Sequence, residues 1–357
     1  MRNLFVRRII PLLLCAAMLF SFSGCGKKLI EETAPEETTT KAVPKKDVWT
    51  PPATDFNRLT GLDDLSEEAK GKRPVAIMIN NVKASLPQYG IAGADLMFEC
   101  LVEGGITRMM AVFADYTKIP DVCSVRSCRY YFPVLAQGLD AYYICFGCNP
   151  TLGKQALIKT GIDYIDGNED YDTDLFGRDP ARLQRYKREH TAFVKGANIP
   201  AFMESHKIRT DYADRKDDYI FKFRAPKEVS DTPCETVRLN FSKTYYSTFT
   251  YDKDAKAYKK THCGNPHMDT AANKQLQFTN VLILKTNVEL FQGGPLVRID
   301  WSEGTGYYLS YGTMREIKWH KKNYDAPIVV TNPNGKEIQI NEGNSYIGFV
   351  NFDGVVI

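Results

Sequence analysis

Ten short strand-like runs between Val237 and Phe352 limit what this chain can fold into more than any other feature. Val237–Phe241, Ser247–Tyr251, Val281–Leu284, Gly306–Tyr311 and Tyr346–Phe352 are typical of them, and turn signals such as Gly293-Gly294-Pro295 and Asn334-Gly335 fall in between. A helix that buries one face needs apolar residues at a 3.6 spacing over roughly ten or more positions. No segment here sustains that beyond a turn near Ala271, so the runs read as strands. The sequence therefore predicts an all-β C-terminal domain over 234–357, a sandwich or open barrel.

The preceding region reads differently. Pro74–Ile79 and Ala141–Phe146 are continuous apolar runs of strand length, and Leu96–Val102 and Arg108–Phe113 flank Gly104-Gly105 as a hairpin would. Ser124–Leu139 reads as a helix with Pro133 inside it; Thr151–Thr160 reads as a second helix, closed by Gly161, and leads into Ile162–Ile165. Helices and strands mixed in this way predict an N-terminal mixed α/β layer domain over 58–225, making the whole fold α+β. The Pro-containing link Ala225–Pro233 separates the two patterns.

Ahead of both lies a segment built for export. Arg2, Arg7 and Arg8 precede an apolar stretch from Ile9 to Phe22, which is shorter than the ~20 residues that span a bilayer as a helix. Phe22-Ser23-Gly24-Cys25 resembles a lipobox, so residues 1–25 are expected to be a lipoprotein signal peptide with Cys25 as the lipidated residue. Residues 26–57, rich in Thr, Glu, Lys and Pro, cannot repay the entropy of folding and read as a disordered tether. The expected location is extracytoplasmic, with the membrane as partner through the lipid on Cys25. The formal charge of +3 comes from the three arginines of the signal, leaving the mature chain balanced. Charge thus offers no argument for nucleic acid as a partner.

Nine cysteines are present, and setting aside Cys15 and Cys25 leaves an odd seven, which cannot all pair within one molecule. Cys145-x-x-Cys148 with Cys123 and Cys128 upstream does not have the spacing of a common zinc ribbon. The expectation is therefore buried thiols, with no metal and no cofactor.

Several motifs occur in a fixed order: Arg73-Pro74-Val75-Ala76-Ile77-Met78-Ile79-Asn80-Asn81, Gly93-Ala94-Asp95, Glu103-Gly104-Gly105-Ile106-Thr107-Arg108, and Val125-Arg126-Ser127 with Arg129. Phe176-x-Arg178-Asp179-Pro180-x-Arg182 and His190 follow, then Pro266-His267-x-Asp269, Gly304-x-Gly306-Tyr307 and Ile317-x-Trp319. Together they resemble the YerB-like lipoproteins of Gram-positive bacteria from Arg73 almost to the C-terminus. The resemblance implies a lipoprotein with an N-terminal mixed part and a C-terminal β part, and it implies no reaction.

The chemistry must then be read from the residues. Arginine forks match carboxylate and phosphate geometry in bidentate fashion. The expected ligand-binding residues are Glu99, Glu103, Thr107, Arg108, Arg126, Arg129, Arg178, Asp179, Arg182 and His190, with Arg126 and Arg129 one helical turn apart and Glu99 and Glu103 on one strand face. The bland alternative makes the same residues a buried salt-bridge network. G-x-S-x-G, H-E-x-x-H and G-x-x-x-x-G-K-[ST] are all absent. The favoured reading is a binding or scaffolding protein of the cell envelope, with an anionic cell-wall polymer or an envelope protein as partner, rather than an enzyme. The runner-up is a hydrolase of a glycan or peptide working through Glu99 or Glu103 and His190.

Overall fold

The computed structural model describes residues 56–213, 219–227 and 232–357. The signal segment, Cys25 and the tether up to residue 55 lie outside the described residues. The end of the expected tether does not: Asn57 is buried, and its side-chain amide donates to Asp95 at 2.9 Å and to Asp64 at 3.1 Å.

The protein is predominantly β. Its central sheet uses β1 (Val75–Asn80), β2 (Leu96–Leu101), β3 (Thr107–Phe113), β4 (Tyr142–Cys145) and β5 (Tyr164–Asp166) from the first half of the chain. A second set, β6 (Thr236–Asn240), β7 (Tyr246–Asp252) and β8 (Ala257–His262), forms a separate sheet. The last major strands, β9 (Asn280–Lys285), β10 (Glu303–Ser310), β11 (Thr313–His320) and β12 (Ser345–Val350), return to the central sheet, whose order is β11-β10-β9-β12-β2-β3-β1-β4-β5. The junction between the halves is the parallel pairing of β2 with β12, in which Glu99 lies opposite Gly348.

Both faces of this sheet are covered, which is why β1, β3 and β12 are buried at every residue rather than at alternate ones. Even-numbered side chains of the first strands, such as Met78, Phe98 and Met110, pack with Tyr131, Phe132 and Leu135 of helix α1 (Tyr131–Gln137) and Leu157 of α2 (Leu152–Thr160). Odd-numbered ones, such as Ile77, Met97 and Met109, pack with Leu239, Phe249 and Tyr258 of the second sheet. α2 buries Gly153, Ala156, Leu157 and Thr160, the stripe a 3.6 period dictates, and Gly161 ends it in the left-handed region.

Two expectations need correction. The C-terminal strands do not close a sandwich or barrel of their own. Four of them extend the central sheet and three cover one face of it, so each hydrophobic core draws on both halves; Trp319 and Phe349 share a cluster with Phe98, for example. Each hydrophobic cluster draws on residues from both sides of the Ala225–Pro233 link. The helix expected over Ser124–Leu139 begins only at Tyr131. Pro133 sits in its first turn, where its missing N–H costs nothing. The segment ahead of it is extended because other strands claim its backbone: Arg126 N donates to Met78 O at 3.1 Å, and Phe146 N donates to Arg126 O at 3.1 Å.

Candidate functional site

β1, β4 and β5 run parallel, so their C-terminal ends open at one edge of the sheet. In open α/β sheets the crevice beyond parallel strand ends receives ligands, since the chain leaves each strand there as a loop, and β1, β4 and β5 form such a parallel stretch within this mixed sheet. Segment 124–128 lies along that edge, bonded to β1 on one side and to the exit of β4 on the other: Asn80 N donates to Ser124 O, and Cys128 N to Gly147 O. Gly147 has φ +89°, and a Cβ there would stand 3.0 Å from Ser127 Oγ, so the close approach requires glycine.

Two adjoining cavities of about 480 and 450 Å³ occupy this crevice. Asn80, Arg108, Arg185, Lys187 and His190 line the first; Ser127, Cys148, Asn168, Arg178 and Arg188 line the second. Arg126 and Glu189 stand between them and belong to both. The Arg126 guanidinium donates to Glu189 Oε2 at 2.8 Å. Six cationic side chains thus face a single carboxylate.

Two of the arginines are held in costly states. Arg108 is buried, and its Nη1 donates to the Ser127 carbonyl at 2.5 Å, while no carboxylate among the described residues lies within ion-pairing distance of it. Burial, then the charges of Arg129 and Arg126, push its pKa down to about 9. Arg178 lies over the Phe146 ring at 4.4 Å and donates to Arg188 O at 2.6 Å, and its Nε is buried without a partner. Burial and then Arg188 lower its pKa as well. An anion in either cavity would offset the desolvation and the mutual repulsion together.

Glu99 is not in this crevice. Its side chain points between the two sheets, where it is fully buried against a fully buried Lys260 at 3.2 Å. Oε1 accepts from Asn81 (3.0 Å) and Thr107 (2.8 Å), and Oε2 accepts from Ser247 (2.9 Å) and Tyr346 (2.7 Å). Burial alone would raise its pKa, but Lys260 and these donors outweigh it and hold the carboxylate ionised. The network continues outward. Gln88 Nε2 donates to Asn80 O and Asn81 Oδ1, which fixes its amide orientation, so Oε1 must accept from His267 Nε2 at 2.9 Å. His267 Nδ1 then accepts from Lys260 Nζ at 3.0 Å. That tautomer is neutral, in keeping with the strong lowering of its pKa by burial and then by Lys260.

The remaining expected site residues separate in the same way. Thr107 belongs to the Glu99 network. Glu103 does not share a strand face with Glu99, because β2 ends at Leu101 and Glu103 opens a tight turn. It grips Arg129 Nε through both oxygens, at 2.6 and 2.7 Å. Arg129 is held by Glu103, and because the helix begins only at Tyr131 it shares no helical face with Arg126. Arg182 is buried and spends its guanidinium on the carbonyls of His190, Pro87 and Ser85. Asp179 caps the turn Pro180–Leu183 by accepting from Arg182 N and also accepts from Tyr89 Oη, each at 3.0 Å. His190 lines the first cavity, its Nδ1 held by Asn80 Nδ2 at 2.9 Å. The hydrolase reading required Glu99 or Glu103 to work with His190, and the structure gives each of the three a different partner. Asp269 orders its loop by accepting from Ile91 N and Ala92 N at 2.6 and 2.7 Å. Cys100, Cys123, Cys128, Cys145 and Cys234 are buried free thiols.

Sequence reasoning missed Arg185, Lys187, Arg188 and Glu189, although the run Arg185-Tyr186-Lys187-Arg188-Glu189-His190 is conspicuously basic. It also missed Lys260. In β8 the alternation puts either Lys259 or Lys260 inward, so an internal lysine was legible even where its partner was not.

The sequence profiles of the N-terminal and C-terminal domains of a "Protein of unknown function (DUF3048)" match residues 59–209 and 237–347. "Putative lipoprotein YerB" of Bacillus subtilis (strain 168) is 28% identical over 298 residues, covering 82% of this chain and 85% of that protein. The crystal structure of Bacillus subtilis YerB superposes with a TM-score of 0.71 at 25% identity, over 84% of this chain and 98% of that one. Among the described residues no helix is long and apolar enough to cross a membrane. With both of its characteristic parts present in order, the chain belongs to the DUF3048 family of YerB-like proteins.

Proposed function

We propose that this protein is an extracytoplasmic lipoprotein, anchored through Cys25, that binds anionic groups of a cell-envelope polymer in the crevice at the ends of β1, β4 and β5. The observation that carries the reading is the charge of that crevice: Arg108, Arg126, Arg178, Arg185, Lys187 and Arg188 against Glu189 alone. Planar guanidinium forks on the two sides of Arg126 suit phosphate or carboxylate groups repeated along a chain, and paired cavities accept consecutive groups. The lipoprotein character rests on the Ser23-Gly24-Cys25 signal and on the name given to the Bacillus relative. Glu189 acts as a placeholder that keeps Arg126 oriented, and an entering anion displaces it.

Co-sedimentation with purified envelope polymer tests this. Wild-type protein should bind in a salt-sensitive manner, because exposed charges are screened within about 8 Å at physiological ionic strength. Glu189→Gln should bind as well or better. Loss of binding in Glu189→Gln would overturn the placeholder role, and binding indifferent to salt would overturn the electrostatic reading.

A further inference from the structure

The same strand ends bring together three donors that make none of the proposed anion contacts, one of which, Cys148, lines the second cavity. Cys148 follows β4, Asp166 ends β5, and Glu169 lies in the next turn; one donor atom from each lies within 4.8 Å of the other two. Asp166 is the informative member. It is completely buried, and its Oδ1 accepts from Gly147 N and from Asn168 N, the latter at 2.9 Å. Its Oδ2 is buried with no nitrogen or hydroxyl donor, and the group that meets the carboxylate from the cluster is the Cys148 thiol, a weak donor. A buried carboxylate oxygen left unsatisfied is costly, and the groups beside it, a thiol and a second carboxylate, are ligands for a cation rather than strong donors. Lys154 pairs with Glu169 Oε2 from the outer side and leaves Oε1 available.

We infer that Cys148, Asp166 and Glu169 form a binding site for one divalent metal ion of borderline softness, with Zn²⁺ as the fitting occupant. Zinc takes sulfur at about 2.3 Å and carboxylate oxygen at about 2.0–2.2 Å, so tetrahedral donors stand roughly 3.5 Å apart. Closing from 4.8 Å requires movement of about an ångström, which the half-exposed Glu169 can supply while Asp166 stays fixed by its two backbone donors. Thiolate disfavours Mg²⁺ and Ca²⁺, which prefer oxygen alone. On binding, the Cys148 thiol gives its proton to water and sulfur donates to the metal. Cys148 also lines the second cavity, so the fourth position faces the crevice and is filled by water.

The test titrates the reduced full-length protein with Co²⁺, whose thiolate charge-transfer absorption reports sulfur ligation directly. The band should saturate at one equivalent and disappear on addition of Zn²⁺. Cys148→Ser should abolish it, and Glu169→Gln, a turn substitution, should weaken Co²⁺ binding at least tenfold without altering the circular dichroism spectrum. Cys263→Ser removes the other partly exposed thiol of the folded part and should change nothing. Absence of the band in folded wild-type protein, its survival in Cys148→Ser, or its loss in Cys263→Ser would each overturn the site.

Discussion

Lys260→Met removes the positive member of a pair whose two side chains are both fully buried. Methionine matches the lysine stem in volume, so packing between the sheets is preserved and the losses are the charge opposite Glu99 and the hydrogen bond to His267 Nδ1. Glu99 keeps the donors Asn81, Thr107, Ser247 and Tyr346, but its charge stays in the core uncompensated. Breaking a buried pair in this way costs about 3–5 kcal/mol. At roughly 2 °C per kcal/mol for a chain of this size, Tm should fall by about 6–10 °C. Adding Glu99→Gln removes the stranded charge, so the double variant should be more stable than the sum of the single losses by at least ~2 kcal/mol. The pH dependence has a definite sign. Without Lys260, burial raises the folded-state pKa of Glu99 above its unfolded value, so the penalty is present above that folded pKa and fades as pH falls through it. Scanning calorimetry of the two single variants and the double variant between pH 4 and 8 measures all of this. A Lys260→Met cost below about 1 kcal/mol, or strict additivity, would refute the assignment of Glu99 to a buried charge pair.

His262 is buried, and burial followed by Lys260 lowers its pKa from 6.5 to about 4. The unfolded chain therefore takes up a proton first: the contribution of His262 to stability should fall by about 3 kcal/mol as pH drops from 6.5 to 4, and His262→Phe should make the urea-unfolding profile shallower over that window, leaving the part due to His267, whose pKa burial also lowers. Cys25→Ala should abolish incorporation of labelled fatty acid, and labelling that persists would contradict the lipobox reading. A chain truncated after Lys222 loses β6–β12, exposing the edge of β2 and the apolar face that β6, β7 and β8 cover, while α1 and α2 remain on the other face. It should show no cooperative unfolding transition by circular dichroism, and a stable folded fragment would contradict the shared cores.

What the sequence revealed was whatever local chemistry determines. The apolar run at β1, the glycine turn between β2 and β3, and the Gly161 stop after α2 are each specified by a few neighbouring residues. The parallel pairing of β2 with β12 was illegible because its partners lie about 250 positions apart and leave no periodic trace in either strand, as the 247-residue separation of Glu99 and Tyr346 illustrates. The same long-range pairing turned Glu99 inward and made an apparent ligand-site acid the centre of a structural network. Ser124–Tyr130 was misread as helix because β1 and the exit of β4 take its backbone donors and acceptors, a tertiary effect that overrides local propensity. The arginines were legible as a set, but their division into a crevice group (Arg108, Arg126, Arg178) and a structural group (Arg129, Arg182) depends on partners that only the fold brings near.

Whether the crevice holds an anion is tested most directly by binding isotherms of purified envelope polymer with Arg126→Ala, Arg178→Ala and Lys322→Ala. Arg126 is paired only with the exposed Glu189, so its loss should change stability by less than about 1 kcal/mol. Each crevice variant should nevertheless bind about tenfold or more weakly, equivalent to losing a charge-assisted contact of about 1.5–3 kcal/mol. Lys322 is exposed in the loop after β11, outside both cavities, and its replacement should leave the isotherm unchanged. Equal affinity in all three variants, or an equal loss in Lys322→Ala, would contradict the proposal that this crevice is the binding site.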